Sequence, residues 1–246
     1  MKSLAIDVGN TNIKVGVFNN NNLINVENVK SIDADFVKEI IKNKKIEFAI
    51  ISSVKLLDRN MLTLLQKECF FIEMEKNTLL PINNLYHTRD TLGMDRLAGV
   101  VGASAKFPKK NILVVDAGTC ITYDFINSKK EYIGGAISPG IEMRFKALNN
   151  FTDALPLIDK AEVGFLIGKT TEESIKSGVV NGVRAEVDQI INKYKELFDN
   201  LYVIFCGGDI IYFDKKIKNR IFALENLVLY GLNEILNYNV EFQRKK

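Results

Sequence analysis

The chain of 246 residues has one histidine, three cysteines and four prolines, and each scarcity closes off a class of protein. The lone imidazole, His87, has no acid or nucleophile placed with it, so it reads as part of a surface loop rather than a catalytic base. Cys69, Cys120 and Cys206 lie far apart, without the C-x-x-C spacing of a metal or redox site. Each sits in or beside an apolar run, which reads as a buried reduced thiol and a cytoplasmic setting. The chain has no proline-rich linker and no low-complexity tail. No run approaches the roughly 20 apolar residues of a membrane helix, and "MKSLAIDVG" has too short an apolar stretch, interrupted by an acid, for a signal peptide. No membrane association is expected. The net charge is only +3, and "KNKK" (42–45), "KKN" (109–111) and "RKK" (244–246) are short and scattered among acids. They read as solvated surface; without a basic face bearing stacking aromatics, no nucleic-acid partner is expected.

What is present is a balanced globular composition, 47% apolar and 26% charged, on a chain long enough for one large domain or two small ones. "SLAID", "IKVGVF" and "LINVENV" predict a three-stranded meander, with "NNNN" (19–22) as a hairpin tip. "FVKEIIKNK" and "NMLTLLQKE" have helical spacing, "EFAIISSV" and "CFFIEM" read as strands, and "GMDRLAGVVGASAKF" (93–107) as a helix. Then the pattern restarts. "NILVVDAGTCITYDFI" (111–126) is again strand, carboxylate, small-residue bend and strand, followed by "YIGGAIS". Asp116 stands 109 residues after Asp7, close to half the chain, which points to an internal duplication. Helices are expected at about 140–150, 171–198 and 225–236, and a strand at "LYVIFCGGD" (201–209). Strands alternating with helices after an opening meander fit α/β domains with mixed sheets.

Two acid-bearing bends make a chemical proposal. Successive N–H groups in a glycine-containing bend bind phosphate oxygens, and an acid at the strand end holds a cation or its water shell beside them. Taken alone, "DVGNT" reads more readily as an ordinary polar hairpin turn; its echo "DAGT" at the matching place shifts the balance towards function. Gly207 and Gly208 offer a third close backbone approach, suited to a nucleotide's sugar or base. "GFLIGKT" (164–170) imitates a phosphate loop but has three residues between its glycines where four are needed, and "DKAEV" before it is a poor buried strand, so it is rejected. Thr170 and Thr171 more simply begin a helix with Glu172 and Glu173 in its first turn. In "LYHTRDTLGMDRLAG" (85–99), Asp95 could take a proton from a hydroxyl nucleophile and Arg96 could bind an anion; the plain alternative is a helix-start acid and a surface base.

Together these pieces resemble type III pantothenate kinases. The resemblance rests on "DVGNTNIKVG" (7–16), Tyr86 with "LGMDR" (92–96), "DAGTCIT" (116–122), "GGAISPG" (134–140), "LP" (155–156), "TEESIKSG" (171–178) and "GGD" (207–209). It implies an α/β, actin-like fold shared with sugar kinases and heat-shock ATPases, with two duplicated ribonuclease-H-like domains, 1–109 and 110–246, around a nucleotide cleft. It implies ATP-dependent phosphorylation of pantothenate to 4'-phosphopantothenate, the first step of coenzyme A biosynthesis. The first hairpin, Asp7, Val8, Gly9, Asn10, Thr11, Asn12, Ile13 and Lys14, would bind ATP phosphates, with Thr119 as a further ATP contact. Gly93, Met94, Asp95, Arg96, Tyr86 and Thr171 would bind pantothenate, Asp95 being the proton acceptor. Asp116 would bind a monovalent cation, K+ or NH4+, and Mg2+ would accompany ATP. A homodimer with sites completed at the interface is implied as well. The chain departs from the family pattern at Arg89, where proline is common, and at Cys120, where alanine is common.

The expected reaction is in-line phosphoryl transfer, which depends on positioning and charge neutralisation. Two rivals stand beside it: a non-catalytic regulator on the same fold, and a kinase of another small hydroxyl substrate such as a sugar. Asp7, Asp95, Arg96 and Asp116 together favour the enzyme, and the Tyr86–Arg96 stretch favours pantothenate by resemblance.

Overall fold

Apolar alternation and helical spacing set the order of the elements, which a computed structural model describes for residues 1–214 and 216–245. The first half runs β1 (Lys2–Val8), β2 (Ile13–Asn19), β3 (Asn22–Val29), α1 (Ala34–Lys44), β4 (Phe48–Ser53), α2 (Arg59–Glu68), β5 (Phe70–Glu73), β6 (Asn83–Asn84) and α3 (Met94–Lys106). The second runs β7 (Ile112–Ala117), β8 (Cys120–Ile126), β9 (Glu131–Pro139), α4 (Ile141–Asn150), α5 (Thr171–Leu197), β10 (Tyr202–Cys206), β11 (Phe222–Ala223) and α6 (Leu227–Arg244). The chain packs as two compact units: Met1–Lys109 with Lys129–Ile133 and Asn226 onward, and Lys110–Ser128 with Gly134–Glu225.

In the first unit the sheet order is β3-β2-β1-β4-β5. Strand β1 is antiparallel to β2 and parallel to β4, so Asp7 lies between Lys14 and Ser52. Leu4, Ile6 and Val8 face α1 and α2, joining Val37, Ile40, Ile41, Met61 and Leu65 in one core. Carboxylates cap both helices: Asp33 accepts from the Phe36 N–H, and Asp58 from the N–H groups of Asn60 and Met61. The asparagine-rich tip is the β2–β3 turn, with Asn20 at φ 53°. In the second unit the order β11-β10-β7-β8-β9 repeats the first. Strand β7 is antiparallel to β8 and parallel to β10, so Asp116 lies between Thr122 and Cys206. Leu113, Val115, Tyr123 and Phe125 meet Val179, Val183 and Val187 of α5. The duplication legible in the sequence is thus a duplication of topology, and the α/β class holds.

The halves do not divide the chain cleanly. Sequence spacing puts residues 110–246 together, but α6 packs in the first unit against α3 and the strands β1, β2 and β4. Glycines make the helix contact possible. A Cβ on Gly231 would lie 1.7 Å from the Ala98 carbonyl oxygen, and one on Gly102 would lie 2.7 Å from the Leu227 oxygen. The two backbones therefore touch, and nothing flexible stands between them to give way. A buried polar tie completes the seat: Ser3 Oγ donates to Asn233 Oδ1 at 2.6 Å, and Asn233 Nδ2 donates to the Asn20 carbonyl at 3.1 Å. The start of β9 joins this unit too, with Glu131 and Tyr132 parallel to Asn83 and Asn84.

Substituting Gly231→Ala forces α3 and α6 apart. Overpacking costs roughly 1–3 kcal/mol, so the melting temperature should drop by about 2–12 °C. Thermal unfolding followed by circular dichroism measures it; an unchanged melting temperature would show that the backbones do not touch.

Candidate active site

The first bend follows the buried strand β1. Residues 9–12 form a four-residue loop, closed by the Gly9 N–H donating to the Asn12 carbonyl at 3.1 Å. No residue of the loop has positive φ; the loop's length, not a strained glycine, makes this turn. Asn10, Thr11 and Asn12 are exposed, Asp7 and Lys14 half-buried and cross-strand partners. Lys30 at the end of β3 donates to Asn12 Oδ1 at 2.7 Å, a cation beside the loop that no sequence signal marked.

Helix α3 begins at Met94, with Gly93 as its cap residue. Asp95 is half-buried in the first turn, and its Oδ1 accepts from the Arg96 N–H at 2.8 Å. A Cβ on Gly93 would come within 2.5 Å of that same oxygen, so only glycine leaves the carboxylate where it is. Arg96 is not a surface base: it is 9% exposed, and its guanidinium carbon lies 5.7 Å from the Tyr86 ring centre. Tyr86 stacks on Tyr132 at 6.0 Å and 24°. Tyr132 is fully buried and was hidden in a run read only as a strand. The Tyr86 loop is fastened at both ends: Tyr86 N–H donates to Asn84 Oδ1, and the Arg89 guanidinium donates to the Asn84 carbonyl at 2.6 Å. Arg89, where the family commonly has proline, therefore closes this loop by a hydrogen bond. His87 is exposed.

In the second unit the bend is tighter, with only Gly118 and Thr119 between β7 and β8. Asp116 is half-buried and Thr119 exposed. Gly207, at φ +95°, packs against the bend: a Cβ there would lie 2.2 Å from the Ala117 oxygen and 2.5 Å from Asp116 Oδ1. Gly207 is thus taken up by packing on the protein's own bend, whereas Gly208 faces open space.

Thr171 lies elsewhere in this unit, at the first position of α5, behind the cap residue Thr170, whose hydroxyl accepts from the Glu173 N–H at 3.1 Å. With Arg144, Leu148, Phe151 and Leu155 it lines a groove of about 1100 Å³. One network secures the helices flanking this groove. Glu186 of α5 accepts from Tyr123 Oη at 3.3 Å, from Ser138 Oγ at 2.7 Å and from the Arg144 guanidinium at 2.7 Å. Burial pushes the Glu186 carboxyl up, but the hydrogen bonds of Ser138 and Arg144 and the arginine's charge outweigh it and hold it below the usual value. Burial and the neighbouring Glu186 push the Tyr123 hydroxyl up. The rejected "GFLIGKT" has no strand before it, and Gly168 lies against the first turn of α5.

A family model described as type III pantothenate kinase matches residues 3–193. A protein of that description from Christiangramia forsetii is 44% identical over 241 residues, covering 96% of this chain and 98% of its own. One from Bacteroides fragilis is 42% identical over 238 residues, with the same coverage of each chain. Among solved structures, a ROK hexokinase from Thermus thermophilus shares the fold at a TM-score of 0.55 and 12% identity, over 98% of this chain and 100% of its own.

The Glu186 network has a consequence for pH. Its carboxyl lies below the unfolded value, so its stabilisation is present above the unfolded pKa and is lost as pH falls through the folded one. Glu186→Gln should lose about 1 kcal/mol at pH 7, discounted for partial exposure, or about 2–4 °C in melting temperature. As pH falls below the usual glutamate range the gap to the unmutated chain should close; a gap independent of pH would mean that the charge contributes nothing.

Proposed function

Because the chain belongs to the type III pantothenate kinase family, with the ATP-dependent phosphorylation of pantothenate as its activity, we propose how its residues divide that work. The reaction opens coenzyme A biosynthesis. The observation that carries the assignment of the acceptor side is the seat of Asp95: Gly93 leaves it room, and the Arg96 N–H holds one of its oxygens. Asp95 takes the proton of the primary hydroxyl of pantothenate as that oxygen attacks the γ-phosphorus of ATP. Arg96, Tyr86, Gly93, Met94 and Thr171 bind pantothenate. The buried guanidinium over the Tyr86 ring supports an anion contact held by stacking on Tyr132.

ATP phosphates lie against residues Asp7 to Lys14, and Thr119 is a second contact. The exposed loop 9–12, with Lys14 and Lys30 beside it, supports this. Among the described residues no group of three or more His, Cys, Asp and Glu side chains could hold a metal ion. Mg2+ is commonly bound through one or two carboxylates and substrate phosphates, and Asp7 is the carboxylate offered. Asp116, near the end of β7 beside the Gly118–Thr119 bend, is the carboxylate offered to K+ or NH4+. When bound, these cations supply positive charge against the phosphate oxygens.

We place the enzyme in the cytoplasm, in keeping with its three free cysteines, and as a homodimer. Among the described residues no helix is long and apolar enough to cross a membrane. Phe151, Leu166 and Ile167 are 88%, 78% and 79% exposed at or near the Thr171 groove, and an exposed apolar cluster of this kind supports a subunit interface.

ADP release should require pantothenate, not a sugar, and should be faster in potassium than in sodium. Asp95→Asn keeps the oxygen that Arg96 N–H needs but cannot take the proton; kcat should drop about 10²–10⁴-fold while ATP binding by calorimetry is unchanged. Near-normal kcat in the variant would remove Asp95 as the base, and turnover without pantothenate would remove the kinase reading. By sedimentation velocity the chain should be a dimer, and Leu166→Asp with Ile167→Asp should yield a folded monomer; a persistent dimer would put the interface elsewhere.

A further inference from the structure

Asp209 is 7% exposed, yet it is an acid, and nothing in the reaction as described employs it. It ends the "GGD" turn after β10. Its backbone N–H donates to the Ala117 carbonyl at 3.0 Å, next to Asp116. Two residues earlier, Gly207 presses on Ala117 and Asp116 in a backbone conformation open to glycine. The turn 207–209 is therefore a backing plate for the second bend. An ion pair adds to these backbone contacts. Lys160 Nζ donates to both oxygens of the Asp209 carboxylate, at 2.8 and 3.1 Å.

Lys160 comes from the connector 151–170, which has no helix or strand. A connector of that length is uncommon unless it serves a function. It is attached to the same turn a second time: buried Arg184 of α5 donates from Nε to the Tyr212 carbonyl at 2.7 Å and from an Nη to the Val163 carbonyl at 3.2 Å. Tyr212 N–H in turn donates to the Asp209 carbonyl at 3.0 Å. Partial burial pulls the Lys160 ammonium down, but the hydrogen bond and charge of Asp209 outweigh it and hold it above its usual value. Glu142, 3.6 Å away at the start of α4, adds a weaker attraction. A carboxylate this buried needs its partner: without Lys160 it is left as an uncompensated buried charge, which draws the turn towards water.

We propose that Lys160 and Asp209 are a positioning pair, holding the turn 207–209 against Asp116–Thr119 so that this bend keeps the shape a nucleotide requires. The proposal rests on the reading of that bend as an ATP and cation contact. Both Asp209 oxygens are occupied by Lys160, so the acid acts through its backbone and through Gly207, not by touching substrate.

Kinetics of the full chain decide it, using Lys160→Met, Asp209→Asn, the double variant and Lys160→Arg. Each of the first two should raise the KM for ATP and the potassium concentration for half-maximal rate by about fivefold or more, with the KM for pantothenate within about twofold. The double variant should be no worse than the worse single, since one interaction is removed in each. Lys160→Arg, which keeps the charge, should stay close to the unmutated chain. An unchanged KM for ATP in folded Lys160→Met, strict additivity in the double variant, or an equal rise in the KM for pantothenate would each overturn the pairing. Should Asp209→Asn not fold, Lys160→Met alone decides, because its side chain is partly exposed. Asp116→Asn and Thr119→Ala test the premise separately. If they leave the KM for ATP unchanged, the reading of the bend fails; if they raise it and the Lys160 variant does not, only the pairing fails.

Discussion

Each sheet is organised by a strand hydrogen-bonded on both sides, to an antiparallel neighbour on one and a parallel neighbour on the other, up to the acid near its end. Asp7 is locked between Lys14 and Ser52, and Asp116 between Thr122 and Cys206. A strand in that position cannot slip by one residue without turning its buried face outward. Leu4 and Ile6, or Leu113 and Val115, would leave the core. The apolar core therefore fixes the height of each carboxylate, and the bends that follow inherit the placement. The bends themselves differ, four residues in one and two in the other, which suits the different tasks proposed for them.

The acceptor side depends on a different constraint. Asp95 and Arg96 stand at the start of α3, and α3 is held by backbone contact with α6 through Gly102 and Gly231. Contact without intervening side chains leaves little room for the helix to slide or roll. Behind Tyr86 the buried ring of Tyr132 plays the corresponding part, and Arg89 closes the loop from the other end. The groups proposed to touch substrate are thus supported by residues with no chemistry of their own, as precise positioning requires.

Much of this was legible in the sequence because the signals are local. Strand alternation, helical spacing, the Thr170 cap and the polar hairpin tips depend on neighbours a few residues apart, and the elements appear near where those patterns put them, although α6 runs on to Arg244, past the expected end at about 236. The missing residue in "GFLIGKT" was likewise a local fact, and Gly168 is instead packed against α5. Strands as short as β6 and β11 carry no periodicity and were invisible. So were Tyr132 and Lys160, whose partners lie 46 and 49 residues away. Nothing in the sequence distinguished Arg96 as buried, since an arginine at a helix start is usually exposed.

By itself the sequence determined the α/β class, the repeat of acid-ended strands and the residues with the right chemistry, because spacing and residue type act through the nearest turns of chain. Its motifs, in their order, also determined the family. The tertiary structure alone decided which of those residues share a seat. It returned α6 to the first unit and stacked Tyr86 on Tyr132, and it set a lysine from an irregular connector on a buried aspartate. Each depends on a contact between distant segments, decided by close packing and by the cost of leaving a charge buried alone, and neither quantity exists until the chain has folded.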